Sequence, residues 1–151
     1  MWCIISEMII EVQSEDAMKR LGESIGQSVK GGEVFELVGD VGAGKTTFVK
    51  GLAKGMGSVD DVQSPSFTIN RIYQGRDDLQ LVHYDFYRLQ DAGILADELR
   101  EFVNDPTTVT VIEWADIVEG VLPDSRFTLT LASPTETTRT ITMPDSLKDV
   151  V

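Results

Sequence analysis

The stretch "GDVGAGKT", residues 39–46, constrains this chain more than any other part of its sequence. Gly39 and Gly44 are separated by four residues, and Lys45 and Thr46 follow directly, which is the P-loop pattern. That pattern requires a buried strand before it and a helix after it. The apolar run "EVFELV" precedes it, and "TFVKGLAKGM" follows with apolar residues at helical spacing. We therefore predict a phosphate-binding loop between a strand and a helix.

Each residue type in this loop has a chemical role in holding a nucleotide. Glycines let the backbone turn so that successive N–H groups point at phosphate oxygens, and the positive end of the following helix adds to that field. Lys45 is predicted to reach the β- and γ-phosphates, and the Thr46 hydroxyl to bind Mg²⁺. The predicted nucleotide contacts are Gly39, Asp40, Val41, Gly42, Ala43, Gly44, Lys45, Thr46 and Thr47.

The rest of the chain predicts alternating strands and helices. Predicted strands cover residues 8–13, 33–38, 67–74, 79–86, 108–114, 126–132 and 138–143, and predicted helices follow Ser14, follow the P-loop and cover 91–104. In the last helix, Ile94, Leu95, Leu99 and Phe102 are expected on one side. The alternation in the last two strands predicts an antiparallel hairpin at a sheet edge. We predict one α/β P-loop NTPase domain over residues 1–151, with a mixed, mostly parallel sheet flanked by helices and a C-terminal antiparallel hairpin.

The charge of the chain argues against direct binding of nucleic acid. Its 25 acidic and 13 basic residues give a net charge of −12, and such a surface repels phosphate backbones. One cysteine and one histidine cannot build a Cys/His zinc site. No basic leader and no apolar run of roughly 18 residues is present. We expect a cytoplasmic protein that binds neither DNA nor membranes.

Two carboxylates stand where strands are predicted to end, namely Asp85 and Glu113. Ligands of open α/β sheets lie beyond the carboxyl ends of parallel strands, so both acids could face the P-loop and serve Mg²⁺ binding and hydrolysis. The alternative is that either acid caps the element that follows it. His83 could be a base or a structural residue of its strand, and Arg88 could sense phosphate or pair with an acid. Trp114 is expected to pack rather than to stack on a base.

The hydroxyl-rich segment "SPSFT", residues 64–68, lies between the P-loop helix and the next predicted strand. Its position suits a switch loop that the γ-phosphate and Mg²⁺ would order, with Ser64, Ser66 and Thr68 as the hydroxyl residues. An ordinary Ser-Pro turn would give the same pattern.

Three classes of nucleotide-binding protein remain to be compared. A small-molecule kinase needs basic residues in a lid, yet no Lys or Arg occurs between Arg100 and Arg126. A GTPase switch needs an Asn-Lys-x-Asp segment to read guanine, and the sequence has none. An ATPase whose hydrolysis acts on another molecule remains. The non-enzymatic alternative is an interaction module in which ATP binding alone orders the switch loop.

Four segments together resemble the TsaE (YjeE) family, the bacterial P-loop ATPases of tRNA threonylcarbamoyladenosine synthesis. They are "GDVGAGKTT" (39–47), "SPSFT" (64–68), "HYDFYRL" (83–89) and Glu113-Trp114, in that order and spacing. The resemblance extends over nearly the whole chain, including "GVLP" at 120–123. The family usually has Thr where this chain has Ser66, which keeps the hydroxyl, and Leu where it has Val41.

The resemblance implies an accessory ATPase that uses ATP and Mg²⁺. Its expected partners are a TsaD-like catalytic subunit and a TsaB-like subunit, which transfer threonylcarbamoyl to adenosine 37 of tRNA. Hydrolysis would reset that complex for repeated turnover, and tRNA would be met only through the partners. By resemblance, Thr46 and Glu113 are Mg²⁺ ligands, and Lys45, Asp85 and Glu113 take part in catalysis. Asp85 would act as a base, a water-orienting group or a second-shell metal ligand, and residues 14–16 would border the adenine.

Overall fold

The computed structural model describes residues 6–65 and 68–151. Within them the strands are β1 (Glu7–Val12), β2 (Val34–Val38), β3 (Asn70–Gln74), β4 (Gln80–Asp85), β5 (Thr108–Glu113), β6 (Phe127–Ala132) and β7 (Arg139–Pro144). The α-helices are α1 (Glu15–Ser28), α2 (Lys45–Gly55) and α3 (Ile94–Val103), and 3₁₀ helices cover Ala115–Val121 and Asp145–Val150. Each predicted strand and helix is present, with bounds shifted by a few residues.

The seven strands form one mixed sheet in the order β1-β7-β6-β2-β5-β4-β3. The four central strands, β6, β2, β5 and β4, are parallel to one another, whereas the pairs β1–β7, β7–β6 and β4–β3 are antiparallel. β2 lies between β5 and β6, so the strand that leads into the P-loop is supported on both sides. The predicted α/β class and the mixed sheet, parallel at its centre, are confirmed.

The C-terminal hairpin is present, but its predicted place at the sheet edge is wrong. β7 pairs on its outer side with β1, with Ile10 opposite Ile141, and β6 pairs in parallel with β2. The edge on this side is therefore β1. Strict alternation indicates only that one face of a strand is buried and the other is exposed to solvent. An interior strand of a sheet can meet that condition as well as an edge strand can.

The sheet has a hydrophobic core on each face. One core lies between the sheet and helices α1 and α2, and the other lies under α3 and the 3₁₀ helix Ala115–Val121. Along β4, Leu81 belongs to the first core and Val82 and Tyr84 to the second. Because strand residues alternate between faces, His83 and Asp85 lie on the face that α2 covers.

Helices α1 and α2 pack backbone to backbone through four glycines. A Cβ added at any of them would lie 2.1 to 2.4 Å from a backbone oxygen of the facing helix. The glycines are Gly22 and Gly26 on α1, and Gly51 and Gly55 on α2. The Ser14 hydroxyl caps α1 by accepting from the Ala17 N–H at 3.0 Å, as the sequence predicts. The close contact fixes α2, and with it the P-loop, against α1.

The guanidinium of Arg76 joins the ends of the same two helices. It donates to the carbonyls of Gly26, Gln27 and Val29 at the end of α1, and to that of Gly55 at the end of α2, over 2.7 to 3.2 Å. The last carbonyls of a helix have no partner within the helix. A single side chain on the turn between β3 and β4 supplies partners for three of them and for the carbonyl of Val29, the residue that caps α1.

The prediction that Ile94 lies on the buried side of α3 is wrong. Leu99 is fully buried and Leu95 and Phe102 are half-buried, but Ile94 is 82% exposed. A helix turns about 100° per residue, so five residues place Ile94 roughly 140° away from Leu99.

No helix in the described residues is long and apolar enough to cross a membrane.

Candidate functional site

A cleft of about 460 Å³ opens where β2, β4 and β5 end. Its lining combines the P-loop, the residues at the ends of β4 and β5, the start of α1 and the turn between β6 and β7. The lining residues are Ser14, Glu15, Met18, Val41, Gly42, Gly44, Lys45, Thr46, Thr47, Ser64, Asp85, Tyr87, Glu113, Trp114, Glu136, Thr137 and Arg139. This is the sheet edge at which α/β proteins bind ligands.

The P-loop enters α2 through a left-handed turn. Gly44 caps the helix with φ of 103°, a conformation that side chains with a Cβ rarely adopt. The first N–H groups of a helix have no partner within the helix, and the residues that carry them here, Lys45, Thr46 and Thr47, line the cleft. The positive end of the α2 dipole adds to them. The loop therefore has the features of an anion site.

The structure divides the predicted loop residues between two cavities. Six of the nine line the cleft, namely Val41, Gly42, Gly44, Lys45, Thr46 and Thr47. Ala43 is buried and lines neither cavity. Gly39 and Asp40 border a second cavity of about 200 Å³, which shares only Trp114 with the cleft. The Asp40 carbonyl accepts from the Ala43 N–H at 3.1 Å, so Asp40 helps to shape the loop.

Lys45 is buried, and its ammonium is held by three groups of the protein. Nζ donates to the Gly39 carbonyl at 2.5 Å and lies 3.5 Å from Oε1 of Glu113. It also stands 4.7 Å from the centre of the Trp114 ring, a cation–π contact. A buried cation needs such partners. Lys45 is therefore fixed at the floor of the cleft.

Asp85 and Glu113 lie side by side at the ends of adjacent parallel strands. They are register partners in the β4–β5 pair, and both are buried at the cleft wall. Asp85 Oδ1 accepts from the Tyr87 N–H at 2.9 Å. Glu113 Oε2 lies 2.6 Å from Nε2 of His83. The structure thus brings both predicted carboxylates to the cleft that Lys45 lines, and places Glu113 3.5 Å from the lysine Nζ.

Electrostatics favour the ionised form of Glu113. Burial opposes its ionisation, but the hydrogen bond and attraction from His83, together with the Lys45 ammonium, outweigh burial and hold the pKa of Glu113 below its ordinary value. Glu113 is therefore a carboxylate at neutral pH, as a cation ligand must be.

This pKa predicts how the protein responds to acid. Glu113 has a lower pKa folded than unfolded, so its contribution to stability is present above the ordinary pKa of 4.5. The contribution is lost as pH falls through the lower folded pKa, because the unfolded chain then binds more protons. In metal-free buffer, we expect the free energy of unfolding of wild type to fall more steeply below about pH 4.5 than that of Glu113→Gln. Denaturant titrations between pH 3 and 7 would measure this, and parallel curves would contradict it.

Several lining residues were not predicted from the sequence. The rings of Tyr87 and Trp114 make a tilted contact at the cleft wall, with their centres 4.8 Å apart. The prediction that Trp114 packs did not place it against the Lys45 ammonium. The turn between β6 and β7 reaches the cleft through Glu136, Thr137 and Arg139. Arg139 holds that turn by donating to three of its carbonyls. No local signal marks these residues, because a hairpin turn joins the site only through sheet order.

The predicted switch residues are not all placed. Ser64 lines the cleft. Ser66 lies outside the described residues. The Thr68 hydroxyl donates to the Asn70 carbonyl at 3.1 Å, and Thr68 is not among the residues that line the cleft. The switch loop therefore stays a prediction.

The donors in the cleft fit Mg²⁺. Thr46, Asp85 and Glu113 offer a hydroxyl and two carboxylates beside the P-loop, and Mg²⁺ prefers oxygen ligands. In residues 6–65 and 68–151, no cluster of three or more His, Cys, Asp or Glu forms a metal cage. Mg²⁺ with nucleotides commonly uses one or two carboxylates together with the phosphates, so a cage is not required.

Comparison with known proteins decides the family. The family model "Threonylcarbamoyl adenosine biosynthesis protein TsaE" matches residues 12–141. The chain belongs to the TsaE family. The match covers β2, the P-loop, Asp85 and Glu113, and it confirms the resemblance seen in the four sequence segments. TsaE proteins are named for tRNA threonylcarbamoyladenosine biosynthesis.

Individual TsaE relatives agree with the family match. The chain is 39% identical to the tRNA threonylcarbamoyladenosine biosynthesis protein TsaE of Treponema pallidum, over 82% of this chain and 90% of that one. It is 40% identical to TsaE of Bacillus subtilis, over 75% of this chain and 70% of that one. The crystal structure of Bacillus subtilis YdiB superimposes with a TM-score of 0.77 at 32% identity, covering 95% of this chain and 88% of that one.

Proposed function

We propose that this protein is a Mg²⁺-dependent ATPase that supports N6-threonylcarbamoyladenosine formation at position 37 of tRNA. The observation that carries the proposal is one cleft in which the P-loop, the buried Lys45 and the carboxylates Asp85 and Glu113 meet. A phosphate cradle alone would bind nucleotide. Carboxylates beside it supply what hydrolysis needs, a Mg²⁺ ligand and a group that orients water.

In this proposal each group of residues in the cleft has a separate role in hydrolysis. The α2 N-terminus and Lys45 bind the phosphates and stabilise the charge that develops on them. Thr46 and Glu113 would hold Mg²⁺, whose chemistry is to neutralise phosphate charge. Asp85 would orient or deprotonate the attacking water. Its Oδ1 bond to the Tyr87 N–H fixes the carboxylate in place.

The nucleoside has room at the start of α1 and the β6–β7 turn. Ser14 and Glu15 line the cleft with Glu136 and Thr137, whereas Asp16 is not among the lining residues. We propose that these two segments border the adenine and ribose. The adenine contact predicted for residues 14–16 is thereby narrowed to Ser14 and Glu15. The turn between β6 and β7 is added as a second segment that would contact the nucleoside.

The proposed partners are a TsaD-like catalytic subunit and a TsaB-like subunit in the cytoplasm. The names of the relatives support the pathway, and the net charge of −12 supports a protein that meets tRNA only through its partners. Hydrolysis would reset that complex between rounds.

The function is tested by following threonylcarbamoyladenosine formed per catalytic complex over time. Reactions would contain the TsaD-like and TsaB-like pair with no addition, with wild type, or with Asp85→Asn. We expect many rounds only with wild type. If all three reactions match, the proposed role in this pathway fails.

The Asp85→Asn variant also separates hydrolysis from binding. Asparagine keeps the Oδ1 that accepts from Tyr87 but cannot act as a base. We expect ATP affinity within about threefold of wild type and hydrolysis slower by about 10²- to 10⁴-fold. Asp97→Asn, on the exposed face of α3, is the matched control. Full modification by an Asp85→Asn protein that binds ATP without hydrolysing it would favour the interaction-module alternative.

A further inference from the structure

His83 is a buried titratable residue to which the proposed chemistry assigns no role. Its side chain is fully buried on β4, on the same face as Asp85 two residues later. Nε2 lies 2.6 Å from Glu113 Oε2. Nδ1 is buried and has no hydrogen-bond partner in the structure described. Among residues 6–65 and 68–151, the ring therefore makes one polar contact, which is with a carboxylate of the cleft.

The proton of this contact belongs to the imidazole. An ionised carboxylate can only accept a hydrogen bond, so Nε2 carries the hydrogen and donates it. The arrangement leaves no face of the ring exposed for exchanging protons with a substrate. This argues against His83 as a base for the attacking water.

The two oxygens of Glu113 have different neighbours. Oε2 accepts from His83, and Oε1 faces the Lys45 ammonium at 3.5 Å. A glutamate side chain has several rotatable bonds, so a fixed donor on one oxygen determines where the other points. His83 supplies that donor from the neighbouring parallel strand, two residues before the register partner of Glu113. Its place in the sheet makes the donor rigid.

We propose that His83 is a positioning residue for nucleotide hydrolysis, which holds Glu113 by Oε2 and keeps Oε1 directed toward Lys45 and the Mg²⁺ that accompanies the nucleotide. This inference rests on the proposed ATPase function and adds a residue to it. His83 touches neither the nucleotide nor the reacting water, so it acts only through Glu113. Partners that orient a metal ligand commonly change metal affinity or activity by about 10- to 100-fold.

Two substitutions of nearly equal length test the role. His83→Gln keeps an N–H donor near the position of Nε2, whereas His83→Met fills similar space without a donor. We expect His83→Met to lower ATP turnover by about 10- to 100-fold and to raise the Mg²⁺ concentration needed for tight ATP binding by a similar factor. Its affinity for ATP in EDTA is expected to stay within about twofold of wild type, because the P-loop and Lys45 are unchanged. His83→Gln is expected to recover most of both properties.

The readouts distinguish positioning from core packing. Equal defects in His83→Gln and His83→Met, or a weaker ATP affinity of His83→Met that is the same with and without Mg²⁺, would overturn the proposal. If wild type hydrolyses ATP and His83→Met matches it, only this inference fails. If wild type neither binds nor hydrolyses ATP, the proposed function itself fails. Thermal unfolding checks each variant. Should His83→Met not fold, His83→Gln decides: a Mg²⁺ response like that of wild type supports the role, and a tenfold loss contradicts it.

Discussion

Replacing Lys45 by alanine is expected to abolish measurable binding of Mg-ATP. The ammonium is buried at the floor of the cleft, between the Gly39 carbonyl and Glu113. In the part of the chain that the structure describes, no other Lys or Arg lines the cleft except Arg139, which donates to three carbonyls of its own turn. Contacts of a buried cation with phosphate are strong. We expect affinity to fall by at least about 100-fold, or about 3 kcal/mol.

Isothermal titration with Mg-ATP would measure the loss, and Lys50→Ala is the matched control. Lys50 lies on the same helix but is exposed, so we expect its affinity to match wild type. Removing Lys45 also deprives Glu113 of its cation, although His83 still donates to that carboxylate. Thermal unfolding of the variant therefore accompanies the titration. A folded Lys45→Ala protein with wild-type affinity would contradict the proposed site.

Gly51→Ala is expected to destabilise the fold more than any surface substitution. The new Cβ would lie 2.1 Å from the Lys19 carbonyl oxygen and 2.9 Å from its Cα. Both atoms belong to the backbone of α1, so the helices must separate. Overpacking of this kind costs about 3 kcal/mol, which lowers Tm by about 6 to 12 °C in a chain of this size.

Calorimetry would measure the change, with Gly120→Ala as the control. A Cβ at Gly120 meets nothing within 4 Å, so stability should stay the same or rise by up to about 1 kcal/mol. Because α2 carries Lys45 and Thr46, we also expect Gly51→Ala to weaken ATP binding below its Tm. Equal Tm values for Gly51→Ala and wild type would contradict this prediction, because they would show that α1 and α2 can move apart at little cost in free energy.

The fold and the P-loop could be predicted from the sequence because their signals are local. Strand "EVFELV", the glycine loop and the helix after it are adjacent in the chain, and both carboxylates end apolar runs. Sheet order is not local. The pairing of β1 with β7, and the arrival of Glu136 and Thr137 at the cleft, depend on which strands become neighbours.

The contact between α1 and α2 had a sequence signal whose meaning required the structure. "GESIG" at 22–26 and "GLAKG" at 51–55 each place two glycines four residues apart, on one face of a helix. Their shared spacing could have indicated that α1 and α2 touch. The His83 contact with Glu113 had no such signal, because the two residues are thirty positions apart and meet only through the β4–β5 register.

The position of β2 in the sheet has a consequence for biosynthesis. Both neighbours of this strand, β5 and β6, come later in the chain, at Thr108–Glu113 and Phe127–Ala132. Because the N-terminal part of the chain leaves the ribosome first, β2 and the glycine loop emerge before β5 and β6 have been synthesised. Non-local pairings of this kind also fold slowly. The glycine loop is thus translated early, but the cleft proposed to bind nucleotide is complete only after β5, β6 and the turn that follows β6 have been made. We therefore expect an unfinished chain that stops before β6 not to bind ATP.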